Sequence, residues 1–513
     1  MALLMALGHN LALPFWRSTE SRPDSIALRV DAISYSYAEL GRHAQGIADW
    51  IWKQARPWKQ APRGPQRIAI LGGRSYESYA GLLGACWSGS AYVPLNPRWP
   101  LARLRHVMRA IRPDAVLVDA EGEAVFSELE SGGCPVARVR TLERARALSE
   151  PAAVDDEGTA YILFTSGSTG APKGVSIAFR GVSCFLAAMA ERYPLIPGER
   201  VAQPCDLSFD ISVSNIFTAW NSGAAVYVVP SAQAMAPRDF LRSERINAWF
   251  STPSVAVFLE QMKMLKPGIF PDLRYTMFGG DGLPATTADK WVAAAPNGSL
   301  ENIYGPTEIT VACTGVRYSG AVTVTPGRGI VAIGTPFTGT ELRILDGADR
   351  EVQLLEAGEL LIGGPQVGIG YWNDPALTEA RFPTIDGRRW YRSGDVVYKD
   401  ANGLYHFLSR VDNQVKVRGY RVELGEIEAH LREVCASTAV AAVAWPVRLG
   451  SASGIVAFVS GTNRSTVEIQ QVMRDRLPAQ SVPSQVRIVD RLPIGLTGKI
   501  DRKALAAVLD GEH

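Results

Sequence analysis

The sequence predicts an α/β protein, with a large multi-layer N-terminal region followed by a small C-terminal α+β domain. Three observations carry this. The chain has 513 residues, more than the roughly 100–200 of a typical single domain. Short apolar runs alternate with segments of helical character, the pattern of layered α/β folds with parallel, two-sided strands. After LSRVDNQ (Leu408–Gln414) the pattern restarts, and the remaining 100 residues, 414–513, suffice for one small domain.

Taken in order, SYAELG (Ser36–Gly41) opens a helix, with Ser36 and Glu39 at capping-box spacing. ARPWKQAPRGP (Ala55–Pro65) reads as a surface loop. RIAIL (Arg67–Leu71) reads as a strand and YESYAGLLGACW (Tyr76–Trp87) as a helix. AVLVD (Ala115–Asp119), AYILF (Ala160–Phe164), AVYVVP (Ala225–Pro230), RYTMF (Arg274–Phe278) and ELLIGG (Glu359–Gly364) continue the strand series. KVRGYRVE, the helical GEIEAHLREV, a further strand, a helix and a basic tail make up the last domain. Its most apolar run, AVAAVAWPV (Ala439–Val447), is far too short to span a membrane and reads as a buried strand.

Composition is that of a globular enzyme: 47% hydrophobic, 20% charged, net charge +2. Lysine and arginine are spread along the chain, which excludes a nucleic-acid-binding face. The six cysteines form no CxxC pair, which fits reduced cytosolic thiols rather than a zinc site or a disulfide framework. The opening MALLMALGHNLALPFW has no basic segment and no small-residue cleavage site, so no signal peptide is expected.

TSGSTGAPKG (Thr165–Gly174) follows an apolar strand. Such a loop can offer backbone N–H groups and a lysine to phosphate oxygens. It is not a Walker loop, because Pro172 rather than glycine precedes Lys173. Alone it reads equally well as a flexible turn. Five more stretches stand out: FDIS (Phe209–Ser212), NIYGPTE (Asn302–Glu308), YRSGD (Tyr391–Asp395), SRVDNQVKVRGYRVELGEIE (Ser409–Glu428) and LTGKIDRKAL (Leu496–Leu505). Each has a plain structural reading: a paired aspartate, a β-turn, a strand-end turn, a solvated basic face.

In this order and spacing, with AYVPLNP (Ala91–Pro97), GELLIGGPQVGIGYWNDPALT (Gly358–Thr378) and LPAQSVP (Leu477–Pro483), they resemble the adenylate-forming enzymes. The likeness is to amino-acid adenylation domains of nonribosomal peptide synthesis and to D-alanine:carrier-protein ligases. It runs from about Ser34 to Leu505.

The resemblance implies attack of a carboxylate on the α-phosphate of ATP, giving an acyl-adenylate and pyrophosphate, then transfer of the acyl group to a thiol. It implies a core over residues 1–408, a hinge at 409–413 centred on Asp412, and a mobile lid domain over 414–513. Thr165, Ser166, Gly167, Ser168, Thr169, Gly170 and Lys173 are expected at the β- and γ-phosphates. Gly280, Asp281, Ile303 and Gly305 are expected around the nucleotide, Tyr304 on adenine and Asn302 at its amino edge. Thr307 is expected at the α-phosphate, Glu308 on Mg²⁺, Asp395 on the ribose with Arg410 beside it, and Lys499 between carboxylate and phosphate. KVRGYR (Lys416–Arg421) is expected to face the active site for the thiol step. Three departures, Ile369, Ser409 and Thr497, remove no group with a chemical role.

By the same resemblance Asp210 holds the substrate ammonium. Ile211, Ser214, Phe250, Met277, Gly279, Ile303, Val311 and Ala312 complete the pocket. The lining is apolar apart from Asp210, Lys499 and one hydroxyl, so a small to medium neutral amino acid is expected, α or β. Gly279 stands where D-alanine ligases commonly carry cysteine. A free-standing cytoplasmic enzyme loading the phosphopantetheine thiol of a separate carrier protein, in natural-product biosynthesis, is the expectation. A D-alanine:carrier-protein ligase, an acyl- or aryl-CoA ligase and an inactive scaffold are its rivals.

Overall fold

A computed structural model of the chain describes residues 10–55, 66–129, 133–167, 171–411, 414–448, 451–493 and 500–511. The expected surface loop after Ala55 lies outside these residues, as do Ser168, Thr169, Gly170, Asp412 and Lys499.

Two large sheets build the N-terminal region. The first has nine strands. Its six central ones, in spatial order Ser299–Tyr304, Tyr275–Gly279, Ala248–Ser251, Arg200–Gln203, Ala225–Val228 and Ile26–Val30, run parallel. The second has seven strands, with Thr159–Thr165, Ala91–Leu95, Arg67–Leu71, Ala115–Val118 and Val136–Arg138 parallel. Helices cover both, so these strands, apart from the edge strand Val136–Arg138, are largely buried on two faces, and the apolar runs of the sequence are their signature. The helix Tyr76–Trp87 lies between strands as expected. The helix Tyr37–Ala55 carries the expected capping box: Glu39 accepts from the Ser36 N–H at 2.8 Å, and the Ser36 hydroxyl accepts from the Glu39 N–H at 3.2 Å.

ELLIGG forms the expected strand, Gly358–Gly363, in a third, antiparallel sheet with Glu341–Leu345, Arg388–Lys399 and Tyr405–Arg410. Its apolar run comes from burial on both faces, which does not fix strand direction. The strand Tyr405–Arg410 carries Ser409 and Arg410, paired with Val396 and Asp395, so this sheet reaches into the expected hinge.

The C-terminal residues form their own core around Val422, Ile427, Leu431, Val440, Ile455, Ile469 and Met473. The strands Val440–Ala444 and Ile455–Val459 pack between the helices Leu424–Cys435 and Thr466–Arg476 on one face and the helix Arg502–Gly511 on the other. A hairpin leads this domain: Gln414–Val417 pairs with Tyr420–Glu423. Its two turn residues, Arg418 (φ 51°) and Gly419 (φ 84°), both have left-handed backbones, the turn that matches the twist of a tight hairpin.

Candidate active site

The carboxyl ends of the parallel strands open on one chamber of about 710 Å³. Ser251, Gly279 and Tyr304 come from these ends, Asp210 from the first residue of the helix Asp210–Asn221, and Thr165 and Ser166 from the second sheet. The third sheet contributes Asp395 and Arg410, and the hairpin contributes Lys416, Arg418, Gly419, Tyr420 and Arg421.

Asn302 is fully inside. Its amide nitrogen donates to the carbonyls of Val331 and Ala332, while its Oδ1 is buried without a protein partner among the described residues. That oxygen suits an amino group at the edge of adenine. Tyr304 donates its hydroxyl to Asp395, and Arg410 pairs with the other oxygen of the same carboxylate. A carboxylate has lone pairs beyond these two, so ribose hydroxyls can still be accepted there. Gly280, Asp281, Ile303 and Gly305 line the same wall. A Cβ on Gly305 would stand 2.5 Å from Ala312 Cα, so glycine is what lets the 302–308 segment lie against 311–312.

The wall at Thr310 and Val311 is unusual. Both are β-branched, yet their φ angles are 55° and 72°. Such conformations cost on the order of 1–3 kcal/mol each and persist only when the surroundings over-determine them. Buried Gln366 does so here: its side-chain amide donates to Ala312 O at 2.7 Å, and its main-chain carbonyl accepts the Thr310 hydroxyl at 2.8 Å. Sequence reasoning did not find Gln366, although it sits inside the GGPQVGIGY motif.

Asp210 is held by the Thr307 hydroxyl at 2.6 Å. Burial pushes its carboxyl above the usual carboxylate range, opposed by Thr307 and Lys416. Around it Ile211, Phe250, Gly279, Ile303, Val311 and Ala312 line the chamber, while Ser214 and Met277 are buried and do not line it. Thr307 thus faces Asp210, whereas the resemblance puts it on the α-phosphate.

Glu308 is completely buried. Oε1 accepts from the Tyr371 hydroxyl at 2.8 Å and lies 3.6 Å from Lys173 Nζ. Oε2 accepts from Arg421 Nη1 at 2.8 Å. Burial alone would raise its pKa, but Arg421 and Lys173 hold it well below the carboxylate range. Burial, with Arg421 nearby, pushes Lys173 down to about 8. With both oxygens engaged by Arg421, Tyr371 and Lys173, Glu308 does not fit the expected magnesium in this arrangement. Among the described residues no cluster of three or more acidic, histidine or cysteine side chains offers another metal site.

The small domain is pinned across the chamber at several further points. Ser166 Oγ donates to the Arg421 carbonyl at 2.7 Å, and Ser254 Oγ to the Arg418 carbonyl at 3.3 Å. The Phe209 and Tyr420 rings meet edge to face at 5.0 Å. Arg103 pairs with Glu426 at 3.3 Å, both side chains nearly shut off from solvent (8% and 2% exposed), and the Arg103 guanidinium lies over the Trp99 ring. The flanks of Lys499, residues 491–493 and 500–511, contribute nothing to the chamber lining. Ile500 instead packs on the outer core with Leu505 and Leu509.

A family model for AMP-binding enzymes matches residues 15–372. Chondramide synthase cmdD of Chondromyces crocatus is 33% identical over 510 residues, which is 97% of this chain but 12% of that protein. The chain spans between 6% and 19% of the length of curated relatives of this kind. Among solved structures, the Vibrio cholerae adenylation domain AlmE, in complex with glycyl-adenosine-5'-phosphate, is 30% identical, with a TM-score of 0.87 over 98% of each chain. Holo-PA1221, an NRPS protein containing adenylation and PCP domains, is 25% identical, with a TM-score of 0.80 over 97% of this chain and 84% of its own. With the fold, the nucleotide wall and these likenesses together, the chain belongs to the AMP-binding enzyme family of ATP-dependent, adenylate-forming ligases.

Proposed function

We propose that this protein activates a small to medium neutral amino acid with ATP to aminoacyl-AMP and pyrophosphate. It then transfers the aminoacyl group to the phosphopantetheine thiol of a separate carrier protein. The observation that carries the reading is Asp210, a half-buried carboxylate set among apolar lining residues, which accepts the Thr307 hydroxyl at 2.6 Å. A substrate ammonium satisfies it. A simple carboxylic acid leaves it buried and unpaired, and that difference discriminates. Ile211, Phe250, Ile303, Val311 and Ala312 offer no charge to a substrate side chain. The glycyl-adenylate bound by AlmE and the PCP domain of PA1221 support the small substrate and the carrier.

In this reading adenine lies on Tyr304 with its amino group on Asn302, and the ribose meets Asp395 and Arg410. Lys173 and the loop from Thr165 to Gly170 receive the departing phosphates. Lys499 bridges carboxylate and α-phosphate after the small domain rotates about Asp412. The chain's own groups act by position and charge; no side-chain nucleophile is needed.

The test is ATP–pyrophosphate exchange over a panel of L-, D- and β-amino acids and simple carboxylic acids, followed by thioester formation on a holo-carrier. Exchange with a neutral amino acid and not with its deamino analogue is expected. Exchange with carboxylic acids alone overturns the reading in favour of a CoA ligase. Lys499→Ala should lower exchange by about a hundredfold or more with an unchanged melting temperature. Exchange within twofold of wild type defeats the role of Lys499.

A further inference from the structure

We propose that the substrate side chain is no larger than a methyl group, and that Phe250 sets this limit by closing the pocket one layer below Asp210. The substrate is then glycine or alanine and not a longer neutral amino acid. The inference rests on the adenylation reading above and narrows its substrate class.

The strands Ala248–Ser251, Tyr275–Gly279 and Ser299–Tyr304 are parallel neighbours. Phe250 stands level with Met277, and Gly279 level with Ile303. Residues level with one another, and residues two apart on one strand, share a face of the sheet. Phe250, Met277 and Ile303 accordingly pack in one core with Val213 and Phe217 of the helix Asp210–Asn221. The Phe250 ring does not stay at its own level. Its Cε2 reaches to 3.3 Å from where a Cβ on Gly279 would stand, and Ile303 Cγ1 comes within 3.1 Å of the same point from the strand on the other side. A glycine in a pocket wall would ordinarily open space for the substrate. Here that space is already closed by Phe250 and Ile303, so Gly279 makes room for the ring.

A longer side chain would have to enter the next layer. That layer is Met277, two residues before Gly279, and Ser214, one helical turn beyond Asp210. Both are shut off, at 4% and 1% exposure, and neither lines the chamber, whereas Phe250, Gly279 and Ile303 do. The backbone under the ring is tied to the same helix: Asn215 Nδ2 donates to the Phe250 carbonyl at 3.4 Å and to Gln203 Oε1 at 3.0 Å. Close-packed interiors do not yield several methylenes of space without displacing a neighbour. A leucine or phenylalanine whose ammonium sits on Asp210 would have to push Phe250 aside, and a hydrogen or a methyl would not. Phe250 thus determines specificity by shape and takes no part in the chemistry.

The experiment is ATP–pyrophosphate exchange on the full-length protein, giving kcat/KM for glycine, alanine, valine, leucine and phenylalanine. In wild type, glycine or alanine should exceed leucine by about a hundredfold or more. Phe250→Ala opens the way to Met277, and its leucine-to-alanine ratio should rise by about tenfold over wild type. The ratio of two substrates on one enzyme cancels any general loss of folded protein. Phe250→Leu keeps most of the bulk and should shift the ratio in the same direction by less. Should Phe250→Ala melt early, Phe250→Leu and the wild-type panel decide by themselves. A wild type that prefers valine, leucine or phenylalanine, or a ratio in the Phe250 variants within twofold of wild type, overturns the proposal. The two readings fail separately. Absence of exchange with every amino acid removes the adenylation reading, whereas exchange that favours a longer neutral amino acid removes only the limit set by Phe250.

Discussion

The strand-end wall of the large region and the hairpin of the small domain both bring charge into one chamber, but they hold it differently. On the wall each charged or polar group is fixed by its own region. Asp210 is held by Thr307, Asp395 by Tyr304 and Arg410, and the amide nitrogen of Asn302 by two carbonyls. The hairpin is four paired residues on each side of a two-residue turn; Arg421 reaches across the chamber to Glu308 and Ser166, while Arg418 donates to the Ser453 carbonyl of its own domain. In the proposed reading the wall selects the substrate, and the hairpin joins the small domain to it.

The largest effect should come from breaking the wall. Asp210→Ala removes the ammonium partner, and kcat/KM for amino acid activation should fall by roughly a hundredfold or more, as for other buried charge pairs that lose one member. Parallel measurements with a deamino carboxylic acid should show little loss. Equal loss for both substrates would mean that Asp210 supports the wall and does not choose the substrate.

A change in the hairpin should separate the two half-reactions. Gly419 has φ 84°, and a Cβ there would stand 2.4 Å from Thr252 Cγ2. Gly419→Ala strains the turn and lifts it from Thr252, so thiol transfer should fall about tenfold further than pyrophosphate exchange does. Single-turnover transfer from preformed adenylate measures this directly. Parallel losses would erase the distinction between wall and hairpin.

The smallest effect concerns pH. Burial pushes Glu426 up to about 7, with Arg103 pulling it down and Glu423 pushing it up. His430, one turn along the same helix, is pushed down by burial and works in the opposite sense. Once the domain undocks, Glu426 faces water and returns toward the ordinary value of 4.5. A pKa raised by docking means that docking takes up a proton. The Glu426 contribution is thus full below about pH 4.5 and is lost as pH rises through about 7. Energy transfer between dyes at the exposed positions Val322 and Val467, one on each part of the molecule, should report less docking at pH 8 than at pH 6, and Glu426→Gln should flatten that slope. An unchanged slope in Glu426→Gln assigns the pH response to His430.

Much of this was legible in the chain. The parallel strands announce themselves because burial on two faces demands unbroken apolar runs, and the Ser36–Glu39 box because capping is local. Motif spacing picked out Asn302, Tyr304, Asp395 and Arg410, which the fold brings to one chamber. What escaped were pairings across distance: Arg421 with Glu308, 113 residues away, and Arg103 with Glu426, 323 residues away. Nothing local to an arginine tells which remote carboxylate it meets. Ser214 and Met277 show a related limit. Motif alignment gives a position along a strand or helix, but whether that side chain reaches the chamber depends on the bulk of its neighbours.

The Asn302 amide has a consequence for the choice of nucleotide. Its nitrogen is committed to the Val331 and Ala332 carbonyls, so the group cannot flip without leaving two acceptors unpaired. Its oxygen is buried and has no protein partner among the described residues. Adenine offers an amino group to that oxygen, whereas guanine and hypoxanthine present a carbonyl at the same ring position, and two acceptors would then face each other in a dry pocket. In the proposed reading, the two backbone carbonyls that hold this side chain favour ATP over GTP at the site.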